Sequence, residues 1–207
     1  PMTERHYMDF YRFSKFAPWR VAGEVADFVK KLSGKEIFSM RWCQGPYDGS
    51  MAATLDFDDF FRFQKFDILV AQPAYNRRPP ASACMPRIPI DSFHQYGKLY
   101  VNEFDIRTWN AAPSWEKEIM SITWGLMLDL PMWNASNRKL AGTMFANDMG
   151  HWYLDMAPGW FDHPGIMEDI KSTTAVGNEL ASQKPSSWQR DTAFVVDGDG
   201  MFLCNVP

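Results

Sequence analysis

The segment Gly97-Lys-Leu-Tyr-Val-Asn-Glu-Phe-Asp-Ile-Arg-Thr-Trp109 constrains this chain more than any other. It opens on Leu99-Tyr100-Val101, a β-branched and aromatic run of the kind that makes a buried strand. Asn102, Glu103, Asp105, Arg107 and Trp109 follow directly. A strand has no need of two carboxylates, an amide and a guanidinium at its exit, and burying them unpaired would cost several kcal/mol, roughly. In barrels of alternating strands and helices, the carboxyl ends of the strands line the active site. Glu103 is therefore the first candidate for chemistry.

The same pattern recurs along the chain. Arg5–Leu32 carries Phe10, Phe13, Val21, Val25, Phe28, Val29 and Leu32 at helical spacing, with Pro18 expected to interrupt the helix or to start its second part, and Ser33-Gly34 to end it. Strands are expected at Glu36–Cys43, Asp67–Ala71, Lys98–Asn102 and Gly150–Met156. Helices are expected at Ser50–Phe63, Ile90–Tyr96, Ser114–Leu130, Asn134–Asn147 and His163–Glu179. The proline-rich stretch Gln72–Pro89 reads as a long irregular loop, of the kind that is more often functional than decorative. Alternation of this sort means parallel strands with helical crossovers. The expected fold is thus α/β, about four parallel βα units, which is half of an eight-fold (β/α)8 barrel of the TIM type. Residues 1–187 would form the half-barrel. The run Ala193-Phe194-Val195-Val196 in 188–207 would add a strand or begin a further α/β domain.

Each expected strand exit carries polar or aromatic groups: Arg41, Trp42, Gln44 and Asp48; Gln72, Tyr75, Asn76 and Arg77; Asn102, Glu103, Asp105 and Arg107; Asp155 and Trp160. The opposite loops, Leu32–Lys35 and Gln64–Phe66, are plain. Aromatic rings beside carboxylates suit sugars, whose apolar ring faces stack while their hydroxyls need polar partners. The candidate sugar contacts are Trp42, Tyr75, Asn102, Asp105, Arg107, Trp109, Asp155 and Trp160. A plainer reading stands beside this one: Glu103 could simply hold Arg107 in an ion pair. Asp56, Asp58 and Asp59 suit a solvated helix face, and Asp197-Gly-Asp-Gly200 lacks the remaining ligands of a calcium loop.

Composition narrows the function classes. A net charge of -4 without a basic block argues against nucleic acid as the main partner. No apolar run approaches the ~20 residues that span a bilayer, and no charged-then-apolar leader is visible. Cys43, Cys84 and Cys204 lie far apart, so thiols are expected rather than a disulfide framework or a zinc site, which is compatible with the cytoplasm. His94, His151 and His163 share no ligand spacing, and no phosphate-binding fingerprint is present, so neither metal nor nucleotide cofactor is expected.

Three segments carry a resemblance: Phe66-Asp-Ile-Leu-Val-Ala-Gln-Pro-Ala-Tyr75, Gly97–Thr108, and His151-Trp-Tyr-Leu-Asp-Met-Ala-Pro-Gly-Trp-Phe-Asp162. In wording and in the order of elements they resemble the catalytic barrel of family 42-type β-galactosidases and their relatives in the clan of eight-fold barrel glycosidases. The resemblance covers nearly the whole chain, but only the second half of that barrel, strands five to eight. The run after Trp188 resembles the first strand of the α/β domain that follows the barrel. The resemblance implies retaining hydrolysis of β-linked sugars by two carboxylates about 5–5.5 Å apart. It implies Glu103 as nucleophile, Tyr75 as a residue that hydrogen-bonds it, and Asp155 and Trp160 as a sugar platform. The family's acid/base lies past the fourth strand, which has no counterpart here. It is therefore either lost or supplied by a partner chain, for which Asp105, Asp48 and Asp155 are the candidates.

Half a barrel would expose two strand edges and apolar surface, so a homodimer that closes the two halves is expected. The rival expectation is a non-catalytic carbohydrate-binding or structural half-barrel, or a fragment of a longer enzyme. A third is a barrel hydrolase that uses Glu103 as a base only.

Overall fold

The structure is a computed structural model and describes residues 4–35, 38–42, 65–84, 86–110, 125–155, 159–183 and 191–195. The fold class is α/β, helices with a parallel sheet. The strands are β1 (Met40–Trp42), β2 (Ile68–Ala71), β3 (Leu99–Phe104) and β4 (Gly150–Tyr153), hydrogen-bonded in chain order. The helices are α1 (Glu4–Ser33), α2 (Ile90–Gln95), α3 (Leu130–Ala146) and α4 (Pro164–Ala181). The chain forms two compact units, one of Pro1–Leu69, Asp91–Leu99 and Ser187–Pro207, the other of Val70–Ile90 and Tyr100–Ser186.

In the first unit, α1 runs unbroken through Pro18, where an interruption was expected. An interior proline costs a helix about 3 kcal/mol. That cost is offset by anchors beyond it. Trp19 meets Phe66 edge-on at 5.6 Å, and Lys30 Nζ reaches Asp67 Oδ2 at 2.7 Å. The helix ends where Ser33 Oγ donates to the Lys30 carbonyl and Gly34 turns at φ 61°. Asp67 ties the strand starts together: its N–H donates to the Ser39 carbonyl, its carbonyl accepts from Leu99 N, and its carboxylate accepts from Ser39 N at 2.6 Å. Burial alone would raise the Asp67 pKa, but the bonds from Lys30 and Ser39 outweigh it, and the pKa is lowered. Lys98 Nζ donates to the Phe66 carbonyl at 2.6 Å. Two expectations change here. Among the described residues of the expected Glu36–Cys43 strand, Met40–Trp42 are strand and Phe38 and Ser39 are not, and residues 191–195 form no strand, with Phe194 and Val195 in solvent. The helix expected at Ser50–Phe63 lies outside the described residues.

In the second unit, β3 and β4 pair in parallel with Val101, Asn102, Glu103 and Phe104 opposite Gly150, His151, Trp152 and Tyr153. Side chains alternate across a strand. One face carries Tyr100, Asn102 and Phe104 with His151 and Tyr153, and α3 covers it: Asn102 Nδ2 lies 3.0 Å from Met144 Sδ. Glu103 and Trp152 stand on the other face.

α3 begins at an N-cap, Asp129, whose carboxylate accepts from Met132 N at 2.8 Å, with a proline in the first turn. It buries Trp133, Ser136, Asn137, Leu140, Ala141 and Met144, the stripe that helical spacing dictates. Asn137 centres a buried polar network. Its Nδ2 donates to Asp169 Oδ2 at 2.9 Å and Thr173 Oγ1 at 3.2 Å, and its Oδ1 accepts from Tyr153 at 2.9 Å. Burial first, with the nearby Asp169 charge adding to it, pushes the Tyr153 phenol up to about 12 despite the Asn137 bond.

The helix expected over Ser114–Leu130 is corrected in its described part. Gly125 adopts φ 65°, Met127 N donates to the Arg107 carbonyl, and Thr108 and Met127 form a parallel bridge. A left-handed glycine and a strand bridge end any helix there, and the Asp129 cap starts a new one. Residues 111–124 lie outside the described part.

Candidate functional site

Open α/β sheets place ligands at the carboxyl ends of their strands. The loops after β2, β3 and β4 converge there within the second unit. β3 runs to Phe104, so Glu103 sits inside the hydrogen-bonded ladder rather than past it, as the sequence suggested. The ladder fixes its backbone. Its carboxylate accepts from Trp152 Nε1 at 3.3 Å, and the residue is 7% exposed.

Two residues on, Asp105 is enclosed. Arg78 binds its carboxylate through Nη2 and its carbonyl through Nη1 at 2.7 Å, and the Tyr75 hydroxyl donates to Oδ2 at 3.1 Å. Arg78 is 0% and Asp105 1% exposed. The Tyr75 ring lies under Arg78 at 4.0 Å and faces Arg87 at 5.1 Å, distances at which cations meet the ring's negative face. Burial pushes the Asp105 carboxyl up, with Arg78 and Tyr75 opposing. Burial and then the Asp105 charge push the Tyr75 phenol up as well, so it stays a donor. The resemblance implied that Tyr75 hydrogen-bonds the nucleophile; its hydroxyl is found on Asp105.

The loop carrying Tyr75 and Arg78 is a 3-10 turn, Tyr75–Arg77, held from two sides. Gly125 packs so closely that a Cβ there would come within 2.9 Å of Arg78 Cβ and 3.0 Å of the Tyr75 carbonyl. Lys139, from α3, donates to the carbonyls of Arg77, Arg78, Pro79 and Ser82 at 2.6–3.1 Å.

The segment after β3 lies along the segment after β4. Arg107 stacks on Trp160 at 4.9 Å, Thr108 Oγ1 donates to the Trp160 carbonyl, Trp109 meets His163 edge-on at 5.2 Å, and Asn110 Nδ2 donates to the Asp162 carbonyl at 3.2 Å. The arrangement is a ledge of stacked rings and guanidinium beside Glu103's strand.

Tyr75, Asp105, Arg107, Trp109 and Trp160 are therefore gathered in these three loops. Asn102 is not: it points to the α3 face, opposite Glu103. Asp155 follows β4 and is exposed. The side chains of Trp42 and Asn76 lie outside the described part. Sequence reasoning passed over Arg78, Arg87 and Trp152. It named Arg77, which is exposed, while its neighbour is the buried one. Register alone could have found Trp152, since a strand residue directly opposite Glu103 must share its face. Gln72 Oε1 and Trp160 Nε1, both buried at strand exits, have no hydrogen-bond partner among the described residues. No group of three or more His, Cys, Asp or Glu that could hold a metal occurs among the described residues. Comparison of the chain with protein-family models, with curated proteins and with solved structures yields no match in any of the three.

Proposed function

We propose that this chain is a glycoside hydrolase-like protein acting on β-linked sugars of the β-galactoside type, with Glu103 as the nucleophile of a retaining mechanism. The observation that carries the reading is the Glu103–Trp152 pair. A nearly buried carboxylate accepts an indole N–H across two paired strands, on the sheet face opposite α3. In such a mechanism one carboxylate oxygen attacks the anomeric carbon as its bond to the glycosidic oxygen breaks and that oxygen leaves with a proton from the acid/base, while the indole N–H holds the other carboxylate oxygen still. In the ledge of Arg107, Trp109 and Trp160, the half-buried Trp109 is the ring with surface left for a sugar. The finer fold proposed is strands five to eight of an eight-fold barrel, closed by a second copy of the chain through its sheet edges.

A retaining glycosidase also needs an acid/base. Asp105, one of the expected stand-ins, is held inside by Arg78 and Tyr75 and is set aside for that role. This enclosure is also what favours the second reading, a carbohydrate-binding module without turnover.

The experiment is hydrolysis of a panel of aryl β-glycosides, galactosides first, by the parent and by Glu103→Gln side by side, with calorimetric titration of the free sugars. Activity in the parent that is lost in the variant supports the hydrolase. Sugar binding in both with turnover in neither supports the binding module. Equal turnover in both removes Glu103 from the chemistry.

A further inference from the structure

We infer that Trp109 and His163 form one subsite for a sugar ring, Trp109 giving the stacking face and His163 an N–H donor to a sugar oxygen. His163 has no part in the carbohydrate reading above, on which this assignment rests.

His163 caps α4. Its Nδ1 accepts from Gly165 N at 3.1 Å, while its carbonyl accepts the helix's first bonds, from Ile166 N at 3.0 Å and Met167 N at 3.1 Å. A ring nitrogen that accepts carries no proton, so the neutral imidazole in this geometry holds its proton on Nε2. The same contact orients the ring. A Cβ placed on Gly165 would lie 3.3 Å from His163 Cε1, so the Nδ1–Cε1 edge lies over the helix start and the Nε2–Cδ2 edge is the opposite one. Among the described residues Nε2 has no hydrogen-bond partner, and the residue is half-buried. Capping alone does not call for a histidine, since Ser, Thr, Asp and Asn are the favoured caps.

Trp109 meets the imidazole edge-on, with ring centroids 5.2 Å apart and planes at 73°. It is half-buried too, whereas Trp160 is 4% exposed. A half-open indole beside an N–H donor matches the two kinds of surface a pyranose presents, C–H groups on its face and hydroxyl oxygens on its rim. The pair is also fixed in advance. Both chain neighbours of Trp109 are tied to the segment that leads into His163: Thr108 Oγ1 donates to the Trp160 carbonyl, and Asn110 Nδ2 to the Asp162 carbonyl at 3.2 Å. That segment is itself a turn, with Gly159 at φ 94° and Asp162 N donating back to the Gly159 carbonyl at 3.3 Å. Rings held in this way lose little freedom when a ligand docks.

The test is calorimetric titration of methyl β-galactoside into the whole 207-residue chain and into Trp109→Ala, His163→Ser and His163→Ala, with urea unfolding of each. Serine caps a helix but ends at Oγ. His163→Ser therefore restores the cap that His163→Ala removes, and should unfold at the higher urea midpoint of the two. The dissociation constant should nevertheless rise in both, by about three- to tenfold, as loss of one hydrogen bond gives. Trp109→Ala should raise it at least about tenfold. Parent-like affinity in His163→Ser would overturn the assignment, whether or not His163→Ala binds weakly, because it leaves His163 as a cap alone. So would parent-like affinity in Trp109→Ala. In both cases the parent still binds, and the carbohydrate reading stands. A parent that takes up no methyl β-galactoside would remove that reading and the subsite with it. The two His163 variants decide the matter even if Trp109→Ala does not fold.

Discussion

α1 and α3 carry the same kind of signal and use it in opposite ways. Each has large apolar residues at intervals of three and four. In α3 that stripe is the core: Trp133, Leu140 and Met144 are fully buried. In α1 the stripe lies in solvent, and the helix is held by Trp19 and by two ion pairs about one-third exposed. The difference also runs through the charges. The second unit closes around a fully buried pair, Arg78–Asp105, while the first relies on pairs at its surface. Periodicity reports that a helix has an apolar face. It does not report which face the chain's own sheet receives.

The largest expected effects test the buried side of this comparison. Trp133→Ala should cost about 3–5 kcal/mol, while Phe28→Ala should change monomer stability by less than about 0.5 kcal/mol. Urea unfolding at concentrations where the chain is monomeric reads both, and equal losses would break the comparison. Arg78→Met leaves a buried carboxylate without its guanidinium and should cost about 3–5 kcal/mol near neutrality. The Asp105 pKa is already raised, so the folded state holds that proton more tightly than the unfolded chain. Stability therefore falls as pH rises from the ordinary carboxylate value through the raised one. In Arg78→Met this fall should steepen, and acidification should recover part of the loss.

An intermediate effect is expected at Lys139→Met, which strips four carbonyls of their ammonium. A loss of about 1–3 kcal/mol should appear, with hydrogen exchange rising at Arg77–Ser82 and not in the α3–α4 network. Tyr153 gives a pH test of the same unit. Its phenol is raised to about 12, so stability present below pH ~10, the ordinary phenol value, should be lost as pH rises toward that value. A phenolate titration in which Tyr153→Phe removes no late-titrating group would refute it. The smallest effect belongs to the first unit: Lys30→Met should cost less than about 1 kcal/mol, since the pair is partly in water. Asp67 is lowered, so its contribution is present above the ordinary carboxylate value and lost as acid carries the pH down through its folded pKa. Salt should weaken this pair and leave Arg78–Asp105 unchanged.

What was legible in the sequence rested on short-range physics. Apolar runs at Ile68–Ala71 and Leu99–Val101 marked strands, and the Pro164 start marked α4, because strand burial and first-turn proline geometry are properties of a few adjacent residues. The α/β alternation followed from the same local signals. Glu103, Tyr75, Asp105, Arg107 and Trp160 were legible as a set because polar groups beside buried strands demand partners. What those partners are was not legible. Whether Asp105 faces a sugar or Arg78, whether Asn102 shares a face with Glu103, and whether Tyr75 bonds one carboxylate or the other all depend on strand register and on a loop from another part of the chain. The continuity of α1 through Pro18 and the break at Gly125 were decided the same way, by distant anchors and by a glycine backed against Arg78. Local sequence determined which segments bury themselves and where polar groups collect. Only the tertiary structure decided which polar group meets which, because a hydrogen bond or an ion pair needs its two ends within about 3 Å, and residues thirty positions apart reach that distance only once the sheet has formed.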